Sequence, residues 1–153
     1  MGRKILLPYN FTQNDEKALG FVISTFAGQQ DVDITLFNSY MLPPEIDLSG
    51  SPVMDKLSKN VTYLKIRVSD QEEALKKAKE KLVEGGFSEN QVSCLFKPKE
   101  KDTAQDITNA ALKGQFNIVV INRKPGKIAR FFVGSVFDKV VTALKDVTIC
   151  IVT

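Results

Sequence analysis

The sequence of 153 residues contains no histidine. Without an imidazole the chain cannot build a Ser-His-Asp or Cys-His nucleophile system, nor a zinc site of the Cys/His type. It also lacks a Cys-x-x-Cys pair and a GxxxxGK[ST] phosphate loop, because Ile121 stands where a loop ending at Gly126 and Lys127 would need its first glycine. An enzyme built from this sequence would have to work by positioning and electrostatics or through carboxylates. We expect no metal site.

Long hydrophobic runs are missing as well. The apolar run at 5–7 stops at Pro8, too short for a signal peptide, and no later stretch approaches the roughly 20 apolar residues of a membrane span. The net charge of +3 is small and spread out, so it indicates no nucleic-acid partner. The two cysteines, Cys94 and Cys150, lie far apart in predicted strands, and we expect both to be buried thiols of a reducing compartment. These features predict a cytoplasmic protein without a membrane or nucleic-acid partner.

Apolar periodicity predicts one domain, 1–153, in which five strands alternate strictly with four helices. The longest helix is predicted at about 52–84, and whether it is interrupted near Ser69 stays open. Strict alternation is typical of a doubly wound α/β fold, a five-stranded parallel sheet with helices on both faces, and we expect the strand order 3-2-1-4-5. The predicted strands are 4–9, 32–37, 91–96, 116–121 and 147–153.

Ligands of such sheets lie beyond the carboxyl ends of the strands, at the point where the strand order reverses. After the fourth strand, a basic loop leads to Gly134 and Ser135, and Ser135 with Asp138 has capping-box spacing at the start of the last helix. A basic loop and an exposed helix N-terminus would suit an anion such as phosphate, but an ordinary connection with solvated lysines fits these residues equally well. The predicted nucleotide- or anion-binding residues are Pro8, Tyr9, Asn10, Asn38, Asn122, Arg123, Gly126, Lys127, Arg130, Gly134, Ser135 and Val136.

The final predicted strand raises a separate question, because it is rich in valine and isoleucine and has neither proline nor charge. Such a strand is an aggregation risk at a sheet edge unless something pairs with it. Pairing with its copy across a two-fold axis would remove that risk. The predicted dimer-interface residues are Thr148, Ile149, Cys150, Ile151 and Val152.

Three segments carry a resemblance to a known family. They are ILLP at 5–8 before a short polar turn, the proline pair at 43–44, and RFFVGSV at 130–136 before an apolar final strand. Together they resemble the universal stress protein family over essentially the whole chain. The resemblance implies a five-stranded alternating fold and a homodimer formed through the last strand. It also implies membership of either the ATP-binding or the non-binding group of that family.

The family's nucleotide motif, G-x2-G-x9-G-[S/T], is only partly present. Gly134 and Ser135 match it, but Ile121 and Lys124 stand where the other two glycines belong, and Asn10 stands where the family's Asp meets the adenosine. Glycine permits unusual backbone angles and close approach to phosphate, and another residue in a left-handed conformation costs about 1–2 kcal/mol. Asparagine also removes a charged acceptor, whose hydrogen bond contributes roughly 1.5–3 kcal/mol.

Other residues could offset these losses. Gly126 offers flexibility two residues late, and Lys124, Lys127 or Arg130 could meet phosphates as cations.

We therefore predict a universal stress protein without enzymatic activity, a dimeric regulatory or binding module that lacks family-type ATP binding and needs no cofactor. The alternative is a member that binds ATP or AMP with slow or no hydrolysis. A phosphorylated receiver domain has the same general architecture, but Tyr9-Asn10 and 97–99 (Lys-Pro-Lys) stand where it needs acidic residues. A flavin-binding electron carrier would need a hydroxyl-rich first loop, for which Thr12 alone is thin support.

Overall fold

A computed structural model describes residues 2–42, 52–123 and 136–153, without the side chains of 52–58 and 137. Strands and helices alternate along these residues, and a short 3-10 turn precedes the third strand. The strands are β1 (Arg3–Pro8), β2 (Val32–Tyr40), β3 (Val92–Pro98), β4 (Ile118–Asn122) and β5 (Thr148–Val152). The helices are α1 (Gln13–Phe26), α2 (Pro52–Glu84), α3 (Thr103–Lys113) and α4 (Val136–Ala143).

All five strands are parallel and lie in the order β3-β2-β1-β4-β5, which confirms the predicted doubly wound sheet. Strand β1 is central, and its Ile5 pairs with Ile34 of β2 on one side and with Ile118 of β4 on the other. The chain first adds strands on the β2 side and then crosses over to add β4 and β5. The strand order therefore reverses between β1 and β4, and a crevice opens at their carboxyl ends.

The sheet separates two hydrophobic cores. Ile5 and Leu7 point toward α1 and α2, whereas Leu6 points toward α3 and α4, and all three side chains are fully buried. Successive side chains of a strand point to opposite faces, so a continuous apolar run is what a strand covered on both faces requires. The run in β1 therefore holds the two layers of helices on the central strand.

Helix α2 is continuous from Pro52 to Glu84, so the predicted long helix has no break near Ser69. At a rise of about 1.5 Å per residue, its 33 residues span roughly 50 Å. Its buried side chains among the described residues, Leu75, Ala78 and Leu82, all belong to the second half. In the first half the described apolar side chains are half-buried or exposed, with Tyr63 63% exposed. Among the described residues, no helix is long and apolar enough to cross a membrane.

The sequence spacing predicts two further helix caps, Thr12 with Asp15 before the first helix and Thr103 with Asp106 before the third, and their outcomes differ. Thr12 and Asp15 form the expected capping box at the start of α1. At the start of α3, the expected cap by Thr103 is wrong, because the carboxylate of Asp102 accepts the backbone N–H of Gln105 at 2.8 Å. Aspartate is a stronger N-cap than threonine. The carboxylate of Asp102 also forms an ion pair with Lys139 of α4 at 3.2 Å, which links the two helices on this face of the sheet.

The expectation of buried cysteines is also wrong. Cys94 is exposed and Cys150 is half-buried, and both are free thiols. The reason is the strand order, which puts β3 and β5 at the two edges of the sheet, where helices cover the strands only in part. The sulfur of Cys94 still lies toward α2, 3.9 Å from the carbonyl oxygen of Leu75. Partial burial therefore raises the pKa of both thiols.

Candidate functional site

A cavity of about 240 Å³ lies beyond the carboxyl ends of β1, β2 and β4, where the strand order reverses. The N-terminal turns of α1, α3 and α4 close its sides. Its lining residues are Pro8, Tyr9, Asn10, Thr12, Asp15, Phe37, Asn38, Ser39, Lys99, Thr103, Ile107, Ile121, Asn122 and Val136. The cavity therefore draws on residues from all parts of the chain, which the parallel sheet brings to one edge.

Half of the predicted binding residues meet at this cavity. They are Pro8, Tyr9, Asn10, Asn38, Asn122 and Val136. Arg123 is not among the lining residues, and its backbone N–H donates to the carbonyl oxygen of Val152 at 2.7 Å, as part of the pairing between β4 and β5. The predicted residues Gly126, Lys127, Arg130, Gly134 and Ser135 lie outside the described residues, as does Lys124.

Asn38 forms one wall at the point where β1 ends and β2 continues. The backbone N–H of Tyr9 donates to the carbonyl oxygen of Phe37 at 2.8 Å, and the side-chain amide of Asn38 returns a hydrogen bond to the carbonyl oxygen of Tyr9 at 2.9 Å. This bond orients the amide, since only its nitrogen can donate to a carbonyl. Asn38 is only 5% exposed, and its Oδ1 is the buried side-chain polar atom of the described residues that lacks a hydrogen-bond partner.

An unpaired buried polar atom costs roughly 1–3 kcal/mol. A ligand in the cavity that brings a hydrogen-bond donor to Asn38 would remove this cost. The wall of the cavity therefore includes a residue whose buried acceptor has no partner, and a ligand would satisfy it only if the amide turned toward the cavity.

Asp15 connects the turn after β1 to the end of β4, across the reversal point. It is 2% exposed, and its Oδ2 accepts the backbone N–H of Thr12 at 2.9 Å and the Thr12 hydroxyl at 2.6 Å. Its Oδ1 accepts a hydrogen bond from the side-chain amide of Asn122. Because both oxygens are engaged and all three residues line the cavity, Asp15 acts as a structural support of the site.

Tyr9 lines the cavity, and its side chain belongs to the hydrophobic core beneath α1 and α2. The hydroxyl donates to the carboxylate of Glu16, which Lys81 of α2 also contacts at 3.0 Å. Burial, together with the adjacent Glu16, raises the pKa of Tyr9 well above its ordinary value. The hydrogen bonds from Tyr9 and then Lys81 lower the pKa of Glu16. The phenol therefore stays protonated, and the three side chains join the floor of the cavity to α1 and α2.

Lys99 is a lining residue that the sequence did not identify. Strand β3 continues to Pro98, two residues further than predicted, and the backbone N–H of Lys99 donates to the carbonyl oxygen of Tyr40 at 2.7 Å. This bond carries Lys99 to the cavity, whereas the predicted strand end at Lys97 remains outside it. Within the described residues Lys99 makes no ion pair, so its charge is available to an anion.

The other missed residues come from the starts of helices and from positions next to predicted ones. They are Thr12, Asp15, Phe37, Ser39, Thr103, Ile107 and Ile121. For these residues the sequence offers one kind of signal, the capping pattern that marks the starts of α1 and α3. Helix N-termini in this fold face the carboxyl ends of the strands, so residues at these starts are candidates for the cavity.

A second cavity of about 260 Å³ adjoins the first. It lies between the end of β2 and the first half of α2. Its lining residues are Asn10, Ser39, Tyr40, Met41, Leu64, Arg67, Val68, Gln71 and Lys99. Asn10, Ser39 and Lys99 are common to both cavities. Among the described residues, no group of histidine, cysteine, aspartate or glutamate side chains could hold a metal ion.

The fold and the position of the cavity define a class, the α/β proteins whose open parallel sheet has a ligand crevice where the strand order reverses. Within this class, comparison with protein-family models gives a specific result. The model described as the universal stress protein family matches residues 1–150. The chain therefore belongs to the universal stress protein family.

Solved structures show the same fold over nearly the whole chain. The universal stress protein UspA from Lactobacillus plantarum is 14% identical, with a TM-score of 0.67, and the match covers 99% of this chain and 97% of that one. A universal stress protein from Archaeoglobus fulgidus, solved in complex with dAMP, is 15% identical, with a TM-score of 0.59 and coverage of 100% and 98%. A family member from Arabidopsis thaliana with AMP bound is 13% identical, with a TM-score of 0.60 and coverage of 98% and 90%. No curated protein sequence matches the chain.

Proposed function

We propose that this universal stress protein is a binding module without enzymatic activity, whose first cavity receives the nucleoside end of AMP. In this proposal ATP is not held through its triphosphate by the glycine loop typical of the family. The observation that carries the proposal is the unpaired Oδ1 of Asn38 in the wall of the cavity. The exocyclic amine of adenine is a donor that would pair with this oxygen once the amide turns toward the ligand.

The position of the cavity supports a nucleotide ligand. It lies at the reversal point of the sheet, where proteins of this architecture bind their ligands. Two family members of the same fold were solved with dAMP and AMP. Apolar side chains such as Phe37 and Ile107 face the cavity beside the polar Asn10 and Ser39, a mixture that suits a base and a ribose.

The walls of the cavity support a monophosphate over a triphosphate. Ile121 lines the cavity where the family has its first glycine, and its side chain is packed in the core beside α3 and α4, so the backbone there lacks the freedom that glycine gives for close approach to phosphates. Asn10 presents a neutral amide in place of the family's carboxylate. Each change removes a contact that favours ATP, whereas Asn38 and Lys99 keep an acceptor for a base and a cation for one phosphate.

The carboxylates support the absence of catalysis in this proposal. Within the described residues, Asp15 is the carboxylate that lines the first cavity, and Thr12 and Asn122 engage both of its oxygens. A general base needs a free oxygen within hydrogen-bonding distance of the attacking water. Asp15 is therefore a poor candidate for activating water against a phosphate.

Thermal unfolding of the purified protein with adenosine, AMP or Mg²⁺-ATP tests this function. We expect adenosine and AMP to raise the midpoint, since a ligand at about 100 times its Kd stabilises a fold by roughly 2.7 kcal/mol. We expect ATP to give no larger shift than AMP, and no phosphate to be released. Asn38→Ala should lower AMP affinity about tenfold, the scale of one hydrogen bond, whereas Asn60→Ala on an exposed part of α2 should leave it unchanged.

Two results would contradict the proposal. One is the absence of any shift with adenosine and AMP. The other is a larger shift with ATP accompanied by its hydrolysis. Asn10→Asp, which restores the carboxylate of the family motif, should strengthen binding and gives a positive control in the same cavity.

We also propose that the protein is a cytoplasmic homodimer formed through β5. Strand β5 pairs with β4 on one side only, which leaves its other edge free within the described residues, and Ile151 on it is 45% exposed. A second copy of β5 would satisfy the free backbone groups and cover this side chain. The two free thiols support a reducing compartment, in which disulfides are rare.

A further inference from the structure

We propose that the second cavity is a subsite for the other half of a dinucleotide, a ligand in which two nucleosides are joined through phosphates. This inference rests on the proposed function, since the first nucleoside would occupy the first cavity. The two cavities have similar volumes, about 240 and 260 Å³, and they share Asn10, Ser39 and Lys99. Two adjoining spaces of similar size suit a ligand with two halves of equal size.

The charges favour phosphate at the junction. Lys99 lines both cavities, so this cationic residue lies at their junction, where the linking phosphates of a dinucleotide would be. Arg67 lines the second cavity, and none of the described carboxylates does. Among the described residues neither cation makes an ion pair, so neither charge is already neutralised. Two unpaired cations around one space form a favourable site for a phosphate-bearing ligand.

The walls favour a second nucleoside over a simple phosphate. Met41, Leu64 and Val68 give the second cavity an apolar side, and a lone phosphate would leave this side unfilled. Gln71 and Ser39 add amide and hydroxyl groups, which suit the polar edge of a base and a ribose better than an alkyl chain. The guanidinium of Arg67 can stack on a base as well as contact a phosphate.

The length of α2 explains why this cavity exists. The second half of α2 packs on the sheet through Leu75 and Leu82, whereas Leu64 and Val68 in the first half are only half-buried. These two residues continue the apolar stripe of the helix past the end of β2, where they become the wall of a cavity. A helix that ended with the sheet would leave the first cavity without this neighbour.

Isothermal titration of the full chain with AMP and with diadenosine tetraphosphate tests the subsite. We expect the dinucleotide to bind at least about tenfold more tightly than AMP, on the scale of one charge-assisted hydrogen bond. Arg67→Gln should remove about tenfold of the dinucleotide affinity and change AMP affinity less than about twofold. Lys65→Gln is the matched control, since Lys65 is an exposed cation of the same helix that lines neither cavity.

A second variant tests the space itself. Val68→Trp would fill the second cavity, so the dinucleotide should bind it no more tightly than AMP does, while AMP affinity stays that of the wild type. Urea unfolding of each variant checks that its fold is intact.

The outcomes separate the two proposals. If AMP binds but the dinucleotide binds no more tightly, or if Arg67→Gln and Val68→Trp leave the ratio of affinities unchanged, the subsite is overturned and the proposed function stands. If neither AMP nor the dinucleotide binds, both proposals fail. An octyl ester of AMP that binds more tightly than the dinucleotide would overturn the assignment of a second nucleoside, because the cavity would then prefer an alkyl group.

Discussion

Removing the carboxylate of Asp15 should destabilise the protein and also break the contacts that join the walls of the first cavity. The substitution Asp15→Ala deletes the acceptor of three hydrogen bonds, two from Thr12 and one from the amide of Asn122. Thr12 would keep its own cap on the backbone N–H of residue 15, at 3.3 Å. The loss therefore falls on the buried carboxylate and on the donors that it leaves without a partner.

The size of the effect follows from these bonds. A hydrogen bond to a charged group contributes roughly 1.5–3 kcal/mol, and the N-cap half of the arrangement is of the order of 1 kcal/mol. The three bonds share one carboxylate and are not additive, so we expect Asp15→Ala to lower the free energy of unfolding by about 3 kcal/mol. Asp15→Asn keeps one acceptor oxygen but points its new N–H donors at a group that is itself a donor. It should lower the free energy of unfolding by about half as much as Asp15→Ala.

Urea unfolding followed by circular dichroism gives the free energy of each variant. The matched control is Asp33→Ala, because Asp33 is an exposed carboxylate of β2 with no partner among the described residues, and its removal should change stability by less than about 0.5 kcal/mol. A double-mutant cycle with Asn122→Ala should show a coupling of about 1 kcal/mol or more. A loss below about 1 kcal/mol for Asp15→Ala, or no coupling to Asn122, would refute the argument that this carboxylate joins the two walls.

Three further predictions follow. Because the pKa of Glu16 is lowered in the folded protein, its bonds to Tyr9 and Lys81 stabilise the fold at neutral pH, and this stabilisation is lost as pH falls through the folded pKa. The loss of unfolding free energy caused by Glu16→Gln, measured by urea unfolding, should therefore be smaller at about pH 3 than at neutral pH. An equal loss at both pH values would contradict this. Gly114→Ala would bring a Cβ into collision with the ring of Phe116 and should lower the midpoint of thermal unfolding. Gly20→Ala, with nothing within 4 Å of its Cβ, should raise the free energy of unfolding by about 0.5–1 kcal/mol, and equal effects of the two substitutions would refute the packing argument. Ile151→Lys should convert the proposed dimer to a monomer in light scattering, while Leu112→Lys, at a somewhat more exposed apolar residue of α3, should not. Dissociation of both variants or of neither would argue against pairing through β5.

Much of the fold was predictable because its signals are local. The apolar run of Ile5, Leu6 and Leu7 predicts a strand covered on both faces, and both cores use it. The apolar stripe of α2 persists through Ser69, and the helix is continuous there. The capping box of Thr12 and Asp15 is readable from their spacing. Each of these patterns depends on residues close together in the chain, whose side chains meet through the geometry of one strand or one helical turn.

The two cysteines show where local patterns were insufficient. Apolar neighbours make Cys94 and Cys150 look like core residues, but their exposure depends on which strands lie at the edges of the sheet. The cap of α3 is a different case, since Asp102 and Thr103 are adjacent candidates for one role and aspartate is the stronger N-cap. The exposure of the cysteines depends on neighbours that the sequence pattern does not specify.

The sequence by itself determined the elements, their order and the edge of the sheet at which a ligand would bind, because hydrophobic periodicity and strict alternation leave few other arrangements. The tertiary structure decided which side chains meet there. It joined Asp15 to Asn122, 107 residues apart, oriented the amide of Asn38 by a bond to Tyr9, and brought Lys99 between two cavities. Such contacts depend on angles and distances between strands and helices that are far apart in the chain, and these are set only when the whole sheet and its helices pack together.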